Sequence, residues 1–219
     1  MGEAPRKMYV TTDAVAFSLD PEDGLRVLLI RRGHDPYKGL WALPGGFVDE
    51  DEDIPHACAR ELAEETGLGP TAMAQIGAWG KPGRDPRGRN VSVAYVVAVR
   101  PDRTDASAGD DAAHAAWHPA DDPPQLAFDH ADILRAGVRK LRRLCERTHM
   151  LFALVPEPFS LGDVGRALEA VFGEPADEGA MRRLLDRATV SKAPREPADE
   201  PRYRCAVDGY LAPLEGEAL

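Results

Sequence analysis

"GGFVDEDEDIPHACARELAEETGL", Gly45–Leu68, crowds acidic side chains into a segment that otherwise reads as a loop followed by a helix. From about Pro55 to Thr66 the pattern is helical, and Gly67 is placed to end it, because glycine enters the left-handed conformation without a Cβ penalty. Successive helical residues advance by about 100°. Glu61, Glu64 and Glu65, at i, i+3 and i+4, therefore share one face, and Arg60 and Glu64 are i,i+4 neighbours able to pair. Three carboxylates on one face repel one another unless a cation lies among them; the plain alternative is a solvated acidic surface. Oxygen ligands with neither cysteine nor histidine on that face suit Mg²⁺ or Mn²⁺ and not zinc. Magnesium is commonly held by a few carboxylates together with substrate phosphates, so an acidic helix face beside a Gly-Gly loop is suited to a diphosphate.

Working outward, "YVTTDAVAFSL" (9–19) and "LRVLLIRR" (25–32) read as two strands joined by the turn cluster "DPEDG", a hairpin. "AQIGAWG" is a short strand and "VSVAYVVAVR" (91–100) a strand apolar enough to be covered on both faces. Between them lies the basic, Gly/Pro-bearing loop "KPGRDPRGRN". "AAWHP" reads as a short edge strand. His130 to Arg147 forms an amphipathic helix with Ile133, Leu134, Val138, Leu141, Leu144 and Cys145 on one stripe and Asp129 as its N-cap. Two prolines in "LVPEPFSLGD" suggest a boundary near 150–158. Beyond it, Ser160 and Asp163 form a capping-box signature before an apolar face of Leu161, Val164, Leu168 and Val171. A second short helix capped by Asp177 and a strand around "PRYRCAVDGYL" complete the outline of a helix-turn-helix with a wing.

The 219 residues are 43% hydrophobic and 29% charged, which gives material for a real core. A net charge of −10 argues against a whole-surface nucleic-acid binder while leaving room for a local basic patch. No apolar run approaches the roughly 20 residues of a membrane helix, so no membrane partner is expected. Cys58, Cys145 and Cys205 are far apart and without a CxxC pattern, and the first residues lack signal-peptide features. Together these predict a cytoplasmic protein with reduced thiols.

The wider spacing around the acidic helix resembles the Nudix box, G-x5-E-x7-R-E-U-x-E-E-x-G-U with U aliphatic. Gly46, Glu52, Arg60-Glu61-Leu62, Glu64-Glu65 and Gly67-Leu68 fill every defined position. The flanking strands and "WALPGGFVDE" extend the resemblance over 1–149. It implies an α/β fold, a mixed-sheet Nudix sandwich, and a Mg²⁺-dependent pyrophosphatase with Mn²⁺ as a substitute. In that reading Glu61, Glu64 and Glu65 are the metal ligands, with the Gly45 carbonyl as a further one. Glu52 and Arg60 form a structural ion pair, and Gly46 and Gly67 shape the loop and the helix exit. A general base from outside the box is sought in "SAGDDAAH", with Asp111 first and Asp110 second. His114 and His118 read as surface residues.

The substrate is left open by the box. Arg84, Arg87 and Arg89 enter the central strand, and guanidinium forks suit phosphate oxygens. "DPRGR", "VSVAY" and "LAFDHADIL" resemble the branch that handles ADP-ribose, which implies cleavage of ADP-ribose to AMP and ribose 5-phosphate. A nucleotide-pool sanitising pyrophosphatase is the alternative. Pro82 and Pro86 bracket, without matching, the place of a proline found in many ADP-ribose hydrolases.

Residues 150–219 resemble the winged-helix appendage of NrtR-type, ADP-ribose-responsive regulators of NAD metabolism. That implies double-stranded DNA as a partner and a homodimer. The segment holds eight Lys/Arg against 13 Asp/Glu, poor for phosphate contacts as a whole. Arg182, Arg183, Arg187, Lys192 and Arg195 nonetheless cluster on and after the second helix. A cap or dimerisation module is the competing reading of this segment.

Overall fold

The computed structural model describes residues 7–105, 112–188, 190–192, 201–205 and 209–210. The predicted hairpin is present as β1 (Tyr9–Asp20) and β2 (Gly24–Arg32), antiparallel, with Phe17 opposite Val27. The Val-rich strand is β5 (Asn90–Ala98), and it lies parallel to β1 from Tyr9↔Asn90 to Phe17↔Ala98. β4 (Ala72–Trp79) runs antiparallel beside β5, β3 (Trp41–Ala42) pairs the end of β2, and β9 (Gly209–Tyr210) adds to β4. β6 (Ala112–Pro119), longer than its sequence suggested, covers the other side of β2. These seven strands form one mixed sheet in the order β3-β2-β1-β5-β4-β9, with β6 on β2.

Alternation along β1 assigns its side chains to two cores. Ala14 and Ala16 pack with Leu28, Tyr95 and Val97 against Cys58 and Leu62 of α1 (Ile54–Thr66). Val15 and Phe17 pack with Val27, Leu29 and Val96 against Ile133, Leu134 and Leu141 of α2 (His130–Arg147). The sheet is thus sandwiched between helices, which is why β1 and β5 are apolar on both faces. α2 crosses β1 closely: a Cβ on Gly137 would stand 2.8 Å from Val15 Cγ1.

α1 begins at Asp53, whose carboxylate accepts from the Ile54 N–H at 2.8 Å. It ends at Gly67, φ 73°, which donates to the Ala63 carbonyl. Asp129 occupies the N-cap position of α2 as expected, but its carboxylate makes no cap bond and is turned instead toward Arg84.

Most of the segment expected to mark a boundary, Met150–Val155, is buried, while Pro156 is exposed. His149–Ala153 form a short 3₁₀ turn, and Met150 through Val155 lie in the same core as Val15 and Leu141. α3 (Leu161–Phe172) has its Ser160–Asp163 capping box, and α4 (Glu178–Arg187) is capped by Asp177 on the Ala180 N–H. β7 (Val190–Lys192) and β8 (Tyr203–Cys205) pair antiparallel, and Tyr203 exchanges two backbone hydrogen bonds with Phe159. Among the described residues no helix is long and apolar enough to cross a membrane.

Candidate active site

The Gly-Gly loop is stitched onto β1 like a partial strand. The Ala14 N–H donates to the Pro44 carbonyl (2.8 Å), the Thr12 N–H to Gly46 (2.9 Å) and the Val48 N–H to Val10 (3.1 Å). Gly45 must be glycine for this: its φ is 154°, and a Cβ would lie 2.0 Å from the Thr12 carbonyl oxygen. At Gly46 the constraint is a side chain: a Cβ there would meet Glu61 Oε1 at 2.3 Å, so Glu61 would have to move aside. The loop therefore brings α1 against β1, and a cavity of about 350 Å³ opens beside the junction.

One wall of this cavity is acidic. Glu61 and Glu65 line it, and Glu65 Oε2 accepts from the Gly45 N–H at 2.9 Å, so Gly45 contributes its N–H to the arrangement. Burial pushes the Glu61 carboxyl above the usual range, against the pull of Arg60. Glu64 is outside the cavity wall, exposed, with its Oε2 2.9 Å from Arg60 Nη1. Arg60 is the hub of the helix face. It grips Glu52 through Nε (3.0 Å) and Nη2 (2.6 Å), touches Glu61 and Glu64 through Nη1, and donates to the Phe47 carbonyl. The Arg60 hydrogen bonds hold the Glu52 carboxyl down to about 2. Arg60 and Glu64 are neighbours as the i,i+4 spacing suggested, and Glu52 and Arg60 form the ion pair that the Nudix-box resemblance implied.

The donor set fits a hard divalent cation chemically, because it consists of carboxylate oxygens beside backbone carbonyls. Among the described residues, no three His, Cys, Asp or Glu side chains converge closely enough to enclose an ion, and Arg60 supplies the positive charge between Glu61 and Glu64.

The opposite chemistry comes from the β4–β5 loop and the start of α2. Arg84 is buried and clamps Asp129 through Nε (2.9 Å) and Nη2 (2.6 Å), with Asp13 at 3.6 Å. Asp85 is buried too; burial opposes its charge, but hydrogen bonds from Arg87 and Asn90 hold its carboxyl below the usual range. Arg84 and Arg87 both line the cavity. Arg89 does not: its Nη1 donates to the Asn90 carbonyl away from the cavity wall. Asp110 and Asp111 lie outside the described residues.

Several cavity residues were not singled out in the sequence: Asp13, Arg32, Asp85, Phe128 and His130. Asp13 carried a signal, as the one charge in the run "VTTDAVAF" of a strand otherwise destined for burial. His130 is buried, and burial pushes its pKa down despite the neighbouring Asp13 carboxylate. Its Nδ1 accepts from the Leu43 N–H at 2.9 Å, so the neutral ring carries its proton on Nε2, 3.5 Å from Asp13 Oδ1. His114 is exposed, whereas His118 is half-buried against the Trp41 ring, with centroids 4.5 Å apart.

At the C-terminal helices, Arg182 pairs with Glu178 at 2.7 Å, and Arg183 lies 3.8 Å from Asp177. Both guanidinium groups are exposed. Arg187 closes α4 and Lys192 closes β7, while Arg195 lies outside the described residues.

The description "NUDIX domain" fits residues 10–137. The ADP-ribose pyrophosphatase of Methanocaldococcus jannaschii is 40% identical over 126 residues, 58% of this chain and 73% of that protein. The ADPR responsive transcriptional repressor NtrR of Acinetobacter baylyi is 31% identical over 212 residues, 92% of this chain and 83% of that protein. The crystal structure of Shewanella oneidensis NrtR superposes with a TM-score of 0.80 at 29% identity, covering 94% of this chain and all of that one. The same protein complexed with a 27mer DNA gives 0.77 at 29% identity, over 94% and 99%. Its NUDIX domain complexed with ADP ribose gives 0.58 at 34% identity, over 63% and 91%.

Proposed function

The chain belongs to the NUDIX family, and on that premise we propose that it is an ADP-ribose-responsive transcriptional regulator. The cavity between α1 and the β4–β5 loop receives ADP-ribose, and residues 150–219 act as a winged-helix module that contacts double-stranded DNA. One observation carries this reading: similarity to the repressor and to NrtR runs through the C-terminal helices and hairpin, where a plain hydrolase has no need of them. Arg182 and Arg183 on α4, with Arg187 and Lys192 after them, are the DNA-facing cations of this reading. The protein acts as a homodimer, as suits a two-half-site operator. The test is a gel shift on the DNA upstream of its own gene, with and without ADP-ribose, beside calorimetry with ADP-ribose. A salt-sensitive specific complex whose affinity changes with ADP-ribose is expected. Absence of any specific complex rejects the reading.

A second reading, hydrolysis of ADP-ribose to AMP and ribose 5-phosphate, is favoured by the complete Nudix box and the assembled Glu52–Arg60 pair. Glu61, Glu64 and Glu65, with the Gly45 carbonyl, would hold Mg²⁺ or Mn²⁺. For this, Glu64 has to leave Arg60, which keeps Glu52 as its partner. A bound metal would acidify a water and neutralise charge on the phosphate oxygens. Arg87 serves the phosphates, and Asp111, or Asp110, serves as the base. Mg²⁺-dependent product release from ADP-ribose, NADH, diadenosine compounds and oxidised dGTP separates this activity from nucleotide-pool sanitising. No turnover of any of them would leave a purely regulatory protein.

A further inference from the structure

Phe128, Asp129 and His130 are consecutive, and each meets a different ionic group at the cavity. Asp129 clamps Arg84, and His130 faces Asp13. Phe128 lies beneath two guanidinium groups: Arg32 Cζ is 4.8 Å from the ring centroid and Arg87 Cζ is 5.6 Å away. Two of the three cavity arginines are already committed to carboxylates, Arg84 to Asp129 and Arg87 to Asp85.

Arg32 differs from both. Its Nε donates to the Pro36 carbonyl at 2.8 Å, and among the described residues no carboxylate stands within ion-pair distance of its guanidinium. It is partly desolvated with Arg87 as a like-charged neighbour, and burial first, then that neighbour, pushes its pKa down. Asp85, Glu65 and Asp35 act on its charge only from beyond ion-pair distance, so among the described residues no carboxylate occupies its two Nη groups.

The ring that carries Arg32 is itself held at a cost. Phe128 has φ 53°, a conformation bulky residues rarely adopt. Tyr37 stacks edge-on to it at 4.7 Å, and the His130 ring lies 5.2 Å away. Strain kept at a cavity wall fits a ring whose position matters to the site.

We propose that Arg32 is the residue with which the cavity recognises the diphosphate of a nucleoside diphosphate ligand, and that Phe128 is the positioning residue that aims its guanidinium. This rests on the reading that the cavity receives such a ligand. With Nε spent on Pro36, the two Nη groups present a fork to phosphate oxygens, and partial desolvation strengthens that pairing over one in open water.

Calorimetry on the full chain tests it, with ADP-ribose as the probe. Arg32→Ala should weaken binding by about 10- to 100-fold. Arg31→Ala, the adjacent exposed arginine on the other face of β2, should leave affinity within twofold. Phe128→Leu should weaken ADP-ribose binding, and Phe128→Tyr, which keeps the ring, should restore it. A ring that served folding alone would move Tm and not affinity. If Arg32→Ala lowers Tm, Arg32→Gln, which keeps a donor to Pro36 without the charge, decides in its place. Wild-type binding with unchanged affinity in the Arg32 variants overturns the inference and spares the underlying reading. Failure of the wild-type protein to bind ADP-ribose overturns both.

Discussion

Arg84 reaches across 45 positions of sequence to hold both oxygens of Asp129 by one guanidinium edge, Nε and Nη2, and in doing so takes away the side chain that would otherwise cap α2. The Arg84 side chain is 5% exposed, so its charge depends on that carboxylate. Asp129→Ala leaves it with Asp13 at 3.6 Å as its nearest counter-charge and should destabilise the fold by about 3–5 kcal/mol. Replacing both partners by apolar residues, Arg84→Met with Asp129→Leu, should recover part of that loss in urea denaturation. A double variant as unstable as the sum of the singles would mean the two residues are not coupled.

Acid should loosen the loop-helix unit in a defined window. The folded Glu52 carboxyl sits at about 2, below its ordinary 4.5, because Arg60 bonds the charged form. A depressed carboxyl contributes stability that is present above pH 4.5 and is lost as pH falls toward 2. A carboxyl NMR titration of Glu52 should therefore show a midpoint near 2, and Arg60→Ala should return it to the ordinary range. An unmoved midpoint would detach the pair from the shift.

Glu61 has the reverse sign. Its carboxyl is raised by burial, so the metal-free fold holds its proton more tightly than the unfolded chain does. Stability then falls as pH rises from the ordinary carboxyl range through the raised value. Glu61→Gln should raise the Tm of the metal-free protein at neutral pH. If the protein hydrolyses ADP-ribose, the same change should lower turnover by roughly 100-fold or more. A fall in Tm would show that the contact with Arg60 outweighs the burial of the charge.

The two glycines of the loop should separate folding from chemistry. Gly45→Ala drives a Cβ into the Thr12 carbonyl and should cost about 1–3 kcal/mol or more, read by thermal melting. Gly46→Ala meets the far end of a side chain, Glu61, which can swing away. It should melt close to wild type and, if the protein hydrolyses ADP-ribose, lose that activity. Equal Tm losses in both variants would count against this division.

The sheet, α1 and α2 were legible because period-2 and period-3.6 patterns are local. The Glu52–Arg60 pair, eight residues apart on one loop-helix unit, was legible only through the resemblance to the Nudix box. The positive side of the cavity was less legible, because it is assembled from β2, the β4–β5 loop and the start of α2. Nothing local tells that Arg84 spends its charge on Asp129, or that Arg89, two residues past Arg87, turns away from the cavity. Asp129 holds the N-cap position without the cap bond for the same reason: a distant guanidinium took its carboxylate. The prolines at 156 and 158 suggested a break, while the buried leucines just before them are what the sheet and α2 pack against.

That packing has a mechanical consequence. Val15 under the cavity, Leu141 on α2, Leu151 in the 3₁₀ turn and Val164 and Leu168 on α3 belong to one apolar block, and Arg142 Nε on α2 donates to the Val171 carbonyl at α3's far end. A tether would let the two ends of the protein drift independently; a close-packed block does not stretch. If the cavity binds ADP-ribose as proposed, any message to the C-terminal helices has to travel as a repacking step between discrete arrangements. Amides of α2 and α3 should accordingly exchange with solvent as one cooperative unit, slowing together when ADP-ribose is present.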